Sequence, residues 1–243
     1  MISTRLSLIA AACALGSAGA ALAAGPTCKA ESAANLTPVL ELYTSEGCSS
    51  CPPADRWLST LKEAATGGRV VVQAFHVGYW DYIGWVDRFA SPAYTTRQRQ
   101  LATLDGRGNI YTPQLVRNGQ DWRDYPKALG GGEAARARVA VDMAADGSFE
   151  AVVTPLEGVG TWSAYWTVTE SDHSSRVKSG ENAGEFLRHD FVVRQYVPAG
   201  NYRGPSRLSL HAVPAEAGHA RQVNLVVFDP LTGKPLQALS LGC

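Results

Sequence analysis

The sequence lacks an excess of either charge and contains few cysteines and methionines. Lysine plus arginine and aspartate plus glutamate each total 22 of the 243 residues, so the formal net charge is zero. Without a basic block, neither nucleic acid nor an anionic membrane surface is an expected partner. The two methionines are too few for a His–Met metal-transfer cluster. These absences leave the five cysteines as the most informative residues.

Long apolar runs are absent beyond the first residues of the chain. The opening stretch, MISTRLSLIAAACALGSAGAALA, carries one basic residue, Arg5, and ends in an A-x-A cleavage signal at Ala23. We predict that residues 1–23 are a signal peptide cleaved near Ala23, and that the mature protein is periplasmic or secreted without a membrane span. Lipidation at Cys13 is the alternative, but Ala10 stands where a branched apolar residue is expected.

Removal of this segment leaves four cysteines, which are Cys28, Cys48, Cys51 and Cys243. An even number in an oxidising compartment favours disulfides. Pairing Cys48 with Cys51 leaves Cys28 with Cys243, a bond that would tie the chain ends together and contribute about 4–5 kcal/mol in the chain-entropy treatment. Free thiols at both ends are the alternative. A zinc site made from all four cysteines is disfavoured, since Cys28 and Cys243 lack the usual ligand spacing.

The C-x-x-C pair lies at a predicted junction of strand and helix. TPVLELYTSEG predicts a strand, residues 52–66 have helical spacing, and RVVVQAFHV predicts a second strand, so residues 37–76 form a βαβ unit. Pro52 and Pro53 fit the first helical turn, where amide hydrogens have no partner. The unpaired amides and the positive end of the helix dipole favour the thiolate of Cys48. This context is typical of a thioredoxin-like redox motif.

The rest of the chain divides into two parts. A helix predicted from Ser91 and a hairpin turning at Asn118-Gly119 complete the order β-α-β-α-β-β. After residue 134, alternating apolar runs predict strands alone. The expected fold class is α/β: a thioredoxin-like fold over residues 24–134, followed by an all-β, sandwich-like C-terminal domain over residues 135–243.

Several segments resemble a known family. YTSEGCSSC is similar to the glutaredoxin-type pattern. ELYTSEGCSSCPPAD, FHVGYWDYIGWVDRFASPAYTTRQR, YTPQ and GENAG resemble the exported thioredoxin-like family numbered 1223 among the domains of unknown function. The resemblance implies a thioredoxin-like fold with a β-rich C-terminal part and brings no established substrate. In thioredoxin-like folds a cis-proline lies beside the C-x-x-C pair, and Thr112-Pro113 occupies that place directly before the hairpin.

The predicted function is that of a periplasmic thiol–disulfide oxidoreductase. Cys48 is the expected nucleophile, Cys51 the resolving cysteine, Pro113 the cis-proline, and Glu41 a candidate proton acceptor. Protein thiols or disulfides are the expected partners together with an unidentified redox partner, and neither a cofactor nor a metal is expected. Because Glu46 opposes thiolate formation, we expect a weaker oxidant than a Cys-Pro-His-Cys protein.

Two other functions remain open at this point. A copper-binding or copper-delivering protein could use Cys48 and Cys51 as soft ligands, with His76 as a third. A binding module could use the fold as a scaffold without catalysis. Thr112, Trp80 and Tyr82 are the candidate substrate-binding residues, and the aromatic pair could equally be loop packing.

Overall fold

A computed structural model of the protein describes residues 28–243. The predicted signal peptide, residues 1–23, lies outside this range. The helices are α1 (Pro52–Ser59), α2 (Lys62–Thr66) and α3 (Pro92–Leu104). The strands are β1 (Lys29–Glu31), β2 (Val39–Thr44), β3 (Val71–His76), β4 (Gln114–Arg117), β5 (Gln120–Asp121), β6 (Ala137–Met143), β7 (Phe149–Pro155), β8 (Thr161–Glu170), β9 (His173–Arg176), β10 (Phe186–His189), β11 (Val192–Arg203), β12 (Ser206–Leu210), β13 (Arg221–Phe228) and β14 (Pro235–Leu241).

The strands form three sheets. The largest has eight strands in the order β14-β13-β8-β11-β3-β2-β4-β5, the second has the order β1-β6-β7-β12, and β9 pairs with β10. Strands β2 and β3 are parallel, and β11 joins β3 in parallel through Val192 and Ala74. The other pairings are antiparallel. The largest sheet therefore takes strands from both halves of the chain.

The expected fold class, an α/β thioredoxin-like fold followed by an all-β sandwich-like domain, is wrong. The described chain is mostly β, with 40% strand and 15% helix in several sheets. The strands of residues 37–121 do not close a sheet of their own, because the edge of β3 pairs with β11. Sequence pattern indicates strands but not their partners, and this long-range pairing was the missing information. The division at residue 134 stays a prediction.

Two layers of helix and one layer of sheet cover the large sheet. Both faces of β2 and β3 are buried, which explains their nearly continuous apolar sequences. One face packs against α1 and α2 through residues such as Leu40, Leu42 and Leu58. The opposite face packs against α3 through Tyr43, Phe75 and Tyr94. At the other end, β8, β13 and β14 pack against β6, β7 and β12 around Trp162 and Trp166.

The described residues contain two disulfides, and these indicate an oxidising compartment. Cys28 is bonded to Cys243 across a sequence separation of 215 residues, with the Cα atoms 5.7 Å apart. This bond joins the residue before β1 to the last residue of the chain. Cys48 is bonded to Cys51. Between residues 28 and 243, no helix has the length and apolarity needed to cross a membrane.

Candidate functional site

The Cys48–Cys51 disulfide lies where β2 gives way to α1. The Cα atoms are 5.4 Å apart, and the amide of Cys51 donates to the carbonyl of Cys48 at 3.1 Å. Cys51 is the N-cap residue of α1, and Pro52 and Pro53 occupy the first turn, where a proline loses no hydrogen bond. This arrangement is compatible with a C-x-x-C redox motif. Cys48 and Cys51 are only 1% and 0% exposed, so the sulfurs are covered.

An aromatic loop contacts the backbone beside the cysteine pair and is hydrogen-bonded to the residue before a cis peptide bond. The Thr112–Pro113 bond is cis, and the Thr112 hydroxyl accepts a hydrogen bond from Trp80 Nε1 at 2.7 Å. A Cβ on Gly47 would lie 2.9 Å from Trp80 Cβ, so glycine permits this close approach. The structure thus brings Trp80 and Thr112 together next to residues 45–51, here named the cysteine loop. Tyr82 is 82% exposed, and its substrate role stays a prediction.

Glu41 does not lie beneath the cysteine pair. Its carboxylate forms a buried ion pair with Arg97 of α3, with Nη2–Oε1 at 2.6 Å and Nε–Oε2 at 2.7 Å. The hydroxyls of Tyr43 and Tyr165 also donate to it, at 2.8 and 3.0 Å. Successive strand residues face opposite sides of a sheet, so Glu41 faces α3 while its neighbours on β2 face α1. The candidate proton acceptor is instead part of a structural ion pair.

A different acid lies on the cysteine side. Asp55 is one turn beyond Cys51 on α1 and is buried, and residues four apart share a helix face. Its carboxylate accepts a hydrogen bond from Thr44 Oγ1 at 3.1 Å. Burial raises the pKa of Asp55, against the opposing charges of His189 and His76. The position four residues after the second cysteine was the signal that sequence reasoning missed.

A buried network of acids and histidines lies behind the cysteine loop. His76 Nδ1 lies 2.7 Å from Asp87 Oδ2, which also accepts the backbone amide of Glu46 at 2.9 Å. The Glu46 carboxylate lies 3.1 Å from His189 Nε2 and accepts from Trp85 Nε1 at 2.7 Å. The rings of His76 and His189 are 4.9 Å apart. Glu46, within the cysteine loop, is therefore directed inward and paired.

The pKa values in this network follow from burial and pairing. Burial acts to raise the pKa of Asp87, but the charge and hydrogen bond of His76 outweigh it and lower the pKa. Burial acts to lower the pKa of His76, and Asp87 reverses this and raises it. Burial likewise acts to raise the pKa of Glu46, and the hydrogen bond with His189 contributes to lowering it. The Asp87–His76 pair thus favours its charged form, and Glu46 favours its carboxylate form.

A turn from the C-terminal half contacts the cysteine loop directly. Residues 180–184, here named the 180–184 turn, lie within the connection between β9 and β10. The Asn182 amide donates to the carbonyls of Glu46 and Cys48, at 2.8 and 3.0 Å. Glu181 Oε2 accepts the amide of Ser49 at 3.0 Å. The GENAG segment carried part of the family resemblance, but its sequence gave no indication of this contact.

One group of side chains outside the cysteine site could present metal ligands. Within the described residues, His173, Glu216 and His219 each bring a ligand atom within 4.8 Å of the others. Arg194 Nη1 lies among them, at 2.9 Å from Glu216 Oε2, 3.2 Å from Glu170 Oε2 and 3.1 Å from His173 Nε2. Because this cation already occupies the centre, the group is an ion-pair network. His76, the candidate third copper ligand, is paired with Asp87 and is not part of this group.

The fold and site define a mostly β protein with a C-x-x-C disulfide at a strand–helix junction. The chain belongs to the family described as "Protein of unknown function (DUF1223)", which matches residues 39–228. It is similar to the crystal structure of protein AGR_C_4864 from Agrobacterium tumefaciens, at 26% identity over 85% of this chain and 94% of that chain, with a TM-score of 0.65.

A second solved structure shares the fold alone. This is HBP35 of Porphyromonas gingivalis, at 12% identity over 86% of this chain and 76% of that chain, with a TM-score of 0.56. No match to this chain was found among curated proteins. The comparisons therefore establish the family and the fold without a substrate or a reaction.

Proposed function

We propose that the protein is a thiol–disulfide oxidoreductase of an oxidising, extracytoplasmic compartment. The observation that carries the proposal is the Cys48–Cys51 disulfide at the N-terminus of α1, in a loop that contacts Trp80, the hydrogen-bond partner of Thr112 before the cis bond. A ring closed over a separation of three residues does little to restrict the unfolded chain, so its value as a staple is small. The separate Cys28–Cys243 disulfide connects the chain ends, which leaves the short pair available for exchange.

The reaction conserves electrons and protons between the pair and its substrate. In the reducing direction the Cys48 thiolate attacks one sulfur of a substrate disulfide, and the other sulfur leaves as a thiolate that takes up a proton. Cys51 then loses its proton and attacks the Cys48 sulfur, and the second substrate sulfur leaves as a thiolate that also takes up a proton. The substrate gains two electrons and two protons, and Cys48–Cys51 becomes a disulfide. A dithiol donor must then reduce the pair again, and every step reverses for oxidation.

Asp55 is the proposed acceptor of the Cys51 proton. Cys51 is fully buried, so a solvent base has no direct access to it. Asp55 lies on the same face of α1, and burial raises the pKa of its carboxyl group, which makes the carboxylate a better base than an exposed one. Asp55 takes the role that the sequence assigned to Glu41.

The loop around Trp80 and Tyr82 is the proposed substrate-binding surface. Trp80 is bonded to Thr112, so the loop and the residue before the cis bond form one surface. The 82% exposure of Tyr82 leaves an aromatic face available to an apolar polypeptide segment. Because both sulfurs are buried, exchange requires the surrounding loops to move apart.

A trapping experiment tests the proposal. The Cys51→Ser variant, expressed in the compartment where the protein resides, should hold a partner on Cys48 as a mixed disulfide that survives denaturing gels and disappears on reduction. The Cys48→Ser variant is the matched control, since it keeps one cysteine of the pair but not the nucleophile. The wild type should also catalyse insulin reduction by dithiothreitol. Absence of both a trapped partner and insulin reduction would exclude the proposed activity and favour a non-catalytic binding module.

A further inference from the structure

The 180–184 turn holds the peptide groups that carry the nucleophilic cysteine. Asn182 is 5% exposed, and its single amide nitrogen bridges the carbonyls of Glu46 and Cys48. These carbonyls flank Gly47, so the bridge fixes the backbone on both sides of that glycine. Gly180 has a φ of +78°, a conformation that glycine adopts without strain. A side chain 134 positions away in sequence thereby determines where the Cys48 peptide lies.

Glu181 places a negative charge on the same loop. Its carboxylate accepts the amide of Ser49, the residue that follows Cys48. Amides at the start of a helix favour a nearby anion, and this is how such sites promote thiolate formation. The Ser49 amide lies just before α1, and a carboxylate bound there repels a second anion at the nearby Cys48 sulfur.

Five charged groups of the network behind the cysteine loop are buried, and most are paired with one another. They come from the cysteine loop, α1, β3, the 78–87 loop and β10: Glu46, Asp55, His76, Asp87 and His189. Glu46 is paired with His189 and Asp87 with His76, while Asp55 is bonded to Thr44. Glu181 is exposed and bonded to the loop backbone, so its charge acts on Cys48 from the solvent side of the loop.

We propose that Glu181 and Asn182 are positioning residues that bias the Cys48–Cys51 pair toward its disulfide form. The carboxylate disfavours the reduced form, because that form carries the Cys48 thiolate, and Asn182 holds the loop on which this repulsion acts. This inference rests on the proposed function and assigns the direction of its electron transfer. The pair gives up electrons readily, so its substrates are protein disulfides that it reduces, with a dithiol donor restoring the reduced pair.

The test measures the equilibrium of the pair in full-length protein. Wild type, Glu181→Gln and the matched control Glu185→Gln are equilibrated with dithiothreitol buffers of defined ratio, and the redox state of Cys48 and Cys51 is read by alkylation and peptide mass spectrometry. Glu185 lies in the segment that follows the turn and is exposed, so its replacement changes the same charge farther along the chain. Reading individual peptides keeps the Cys28–Cys243 disulfide out of the result.

Glu181→Gln should shift the equilibrium toward the dithiol by about two- to fivefold at pH 8, the range of a single charge at a helix terminus. The shift should vanish well below the pH midpoint for Cys48 alkylation, where the thiol is protonated in both proteins, and shrink in 1 M salt, where the screening length is about 3 Å. The pH midpoint for alkylation of Cys48 by iodoacetamide should be lower in Glu181→Gln than in the wild type, because the thiolate forms more easily without the carboxylate. A merely structural effect would persist below that midpoint and in salt.

Asn182→Ala supplies an independent measurement. The two freed carbonyls should loosen the loop, so Cys48 alkylation at high pH should be at least about threefold faster, as expected when a buried group becomes accessible through local opening. A thermal melt establishes that the variant is folded.

If Glu181→Gln matches Glu185→Gln in equilibrium and in pH midpoint while the wild type still reduces insulin, this inference is wrong and the proposed function stands. If dithiothreitol cannot reduce the wild-type pair, both are wrong.

Discussion

Replacement of Glu41 by Gln tests whether this buried carboxylate stabilises the fold or accepts a proton during disulfide exchange. Glu41 receives four hydrogen bonds, two from Arg97 and one each from the hydroxyls of Tyr43 and Tyr165. The guanidinium carbon of Arg97 lies 3.9 Å from the Tyr165 ring centroid, so the group joins β2, α3 and β8. Gln removes the charge and turns one acceptor into a donor that faces other donors.

The size of the effect follows from burial. The side chains of Arg97 and Glu41 are 8% and 3% exposed, so the variant leaves an uncompensated cation inside the protein. Breaking a buried ion pair by removing one partner costs about 3–5 kcal/mol. With an m-value of roughly 2–3 kcal/mol/M in urea, the unfolding midpoint should fall by about 1–2.5 M. The double variant Glu41→Met/Arg97→Met removes both charges and should be less destabilised than Glu41→Gln.

Two assays together decide the outcome. Urea unfolding followed by tryptophan fluorescence measures stability, and insulin reduction at low temperature, normalised to folded protein, measures exchange. We expect a large loss of stability with the exchange rate of folded protein unchanged. A loss below about 1 kcal/mol, the range of exposed ion pairs, would refute the structural assignment. A selective loss of exchange would restore Glu41 as proton acceptor.

Three further outcomes are expected. Because burial raises the folded-state pKa of Asp55, the wild type should lose stability as the pH rises from the unfolded-state pKa to the folded-state pKa. Asp55→Asn should abolish this loss, measured by urea unfolding between about pH 4 and 8, and should slow the resolution of mixed disulfides. The lowered pKa of Asp87 and the raised pKa of His76 predict that their pair stabilises the fold at intermediate pH. This stabilisation should be lost as the pH falls through the folded-state pKa of Asp87 and as it rises through that of His76. Asp87→Asn should therefore flatten both limbs of a profile of unfolding free energy measured from about pH 3 to 9. Replacing Cys28 and Cys243 by Ser should lower the free energy of unfolding by up to about 5 kcal/mol, measured by urea unfolding without reductant, and an unchanged midpoint would contradict the role of this bond as a staple.

The local pattern of residues predicted the surroundings of the cysteines. The apolar runs of β2 and β3 are buried on both faces, and the prolines after Cys51 begin α1. Asn118 and Gly119 take positive φ values at the turn between β4 and β5. These features depend on neighbours within a few residues, through strand periodicity, proline geometry and turn chemistry. A single helix over residues 52–66 was expected, and the chain instead forms α1 and α2.

Tertiary structure decided which distant groups meet. Nothing in the sequence indicates that β11 pairs with β3. Because of this pairing, strands from both halves of the chain share one mixed eight-stranded sheet, and the expected fold does not form. The alternation of β2 directs Glu41 away from the cysteines, so Asp55 is the acid on their side. Glu181 and Asn182 reach the cysteine loop because β9 and β10 carry their turn there. Sequence spacing specifies the chemistry of the Cys48–Cys51 pair, whereas the charges around it depend on long-range packing, whose energy is distributed over the whole fold.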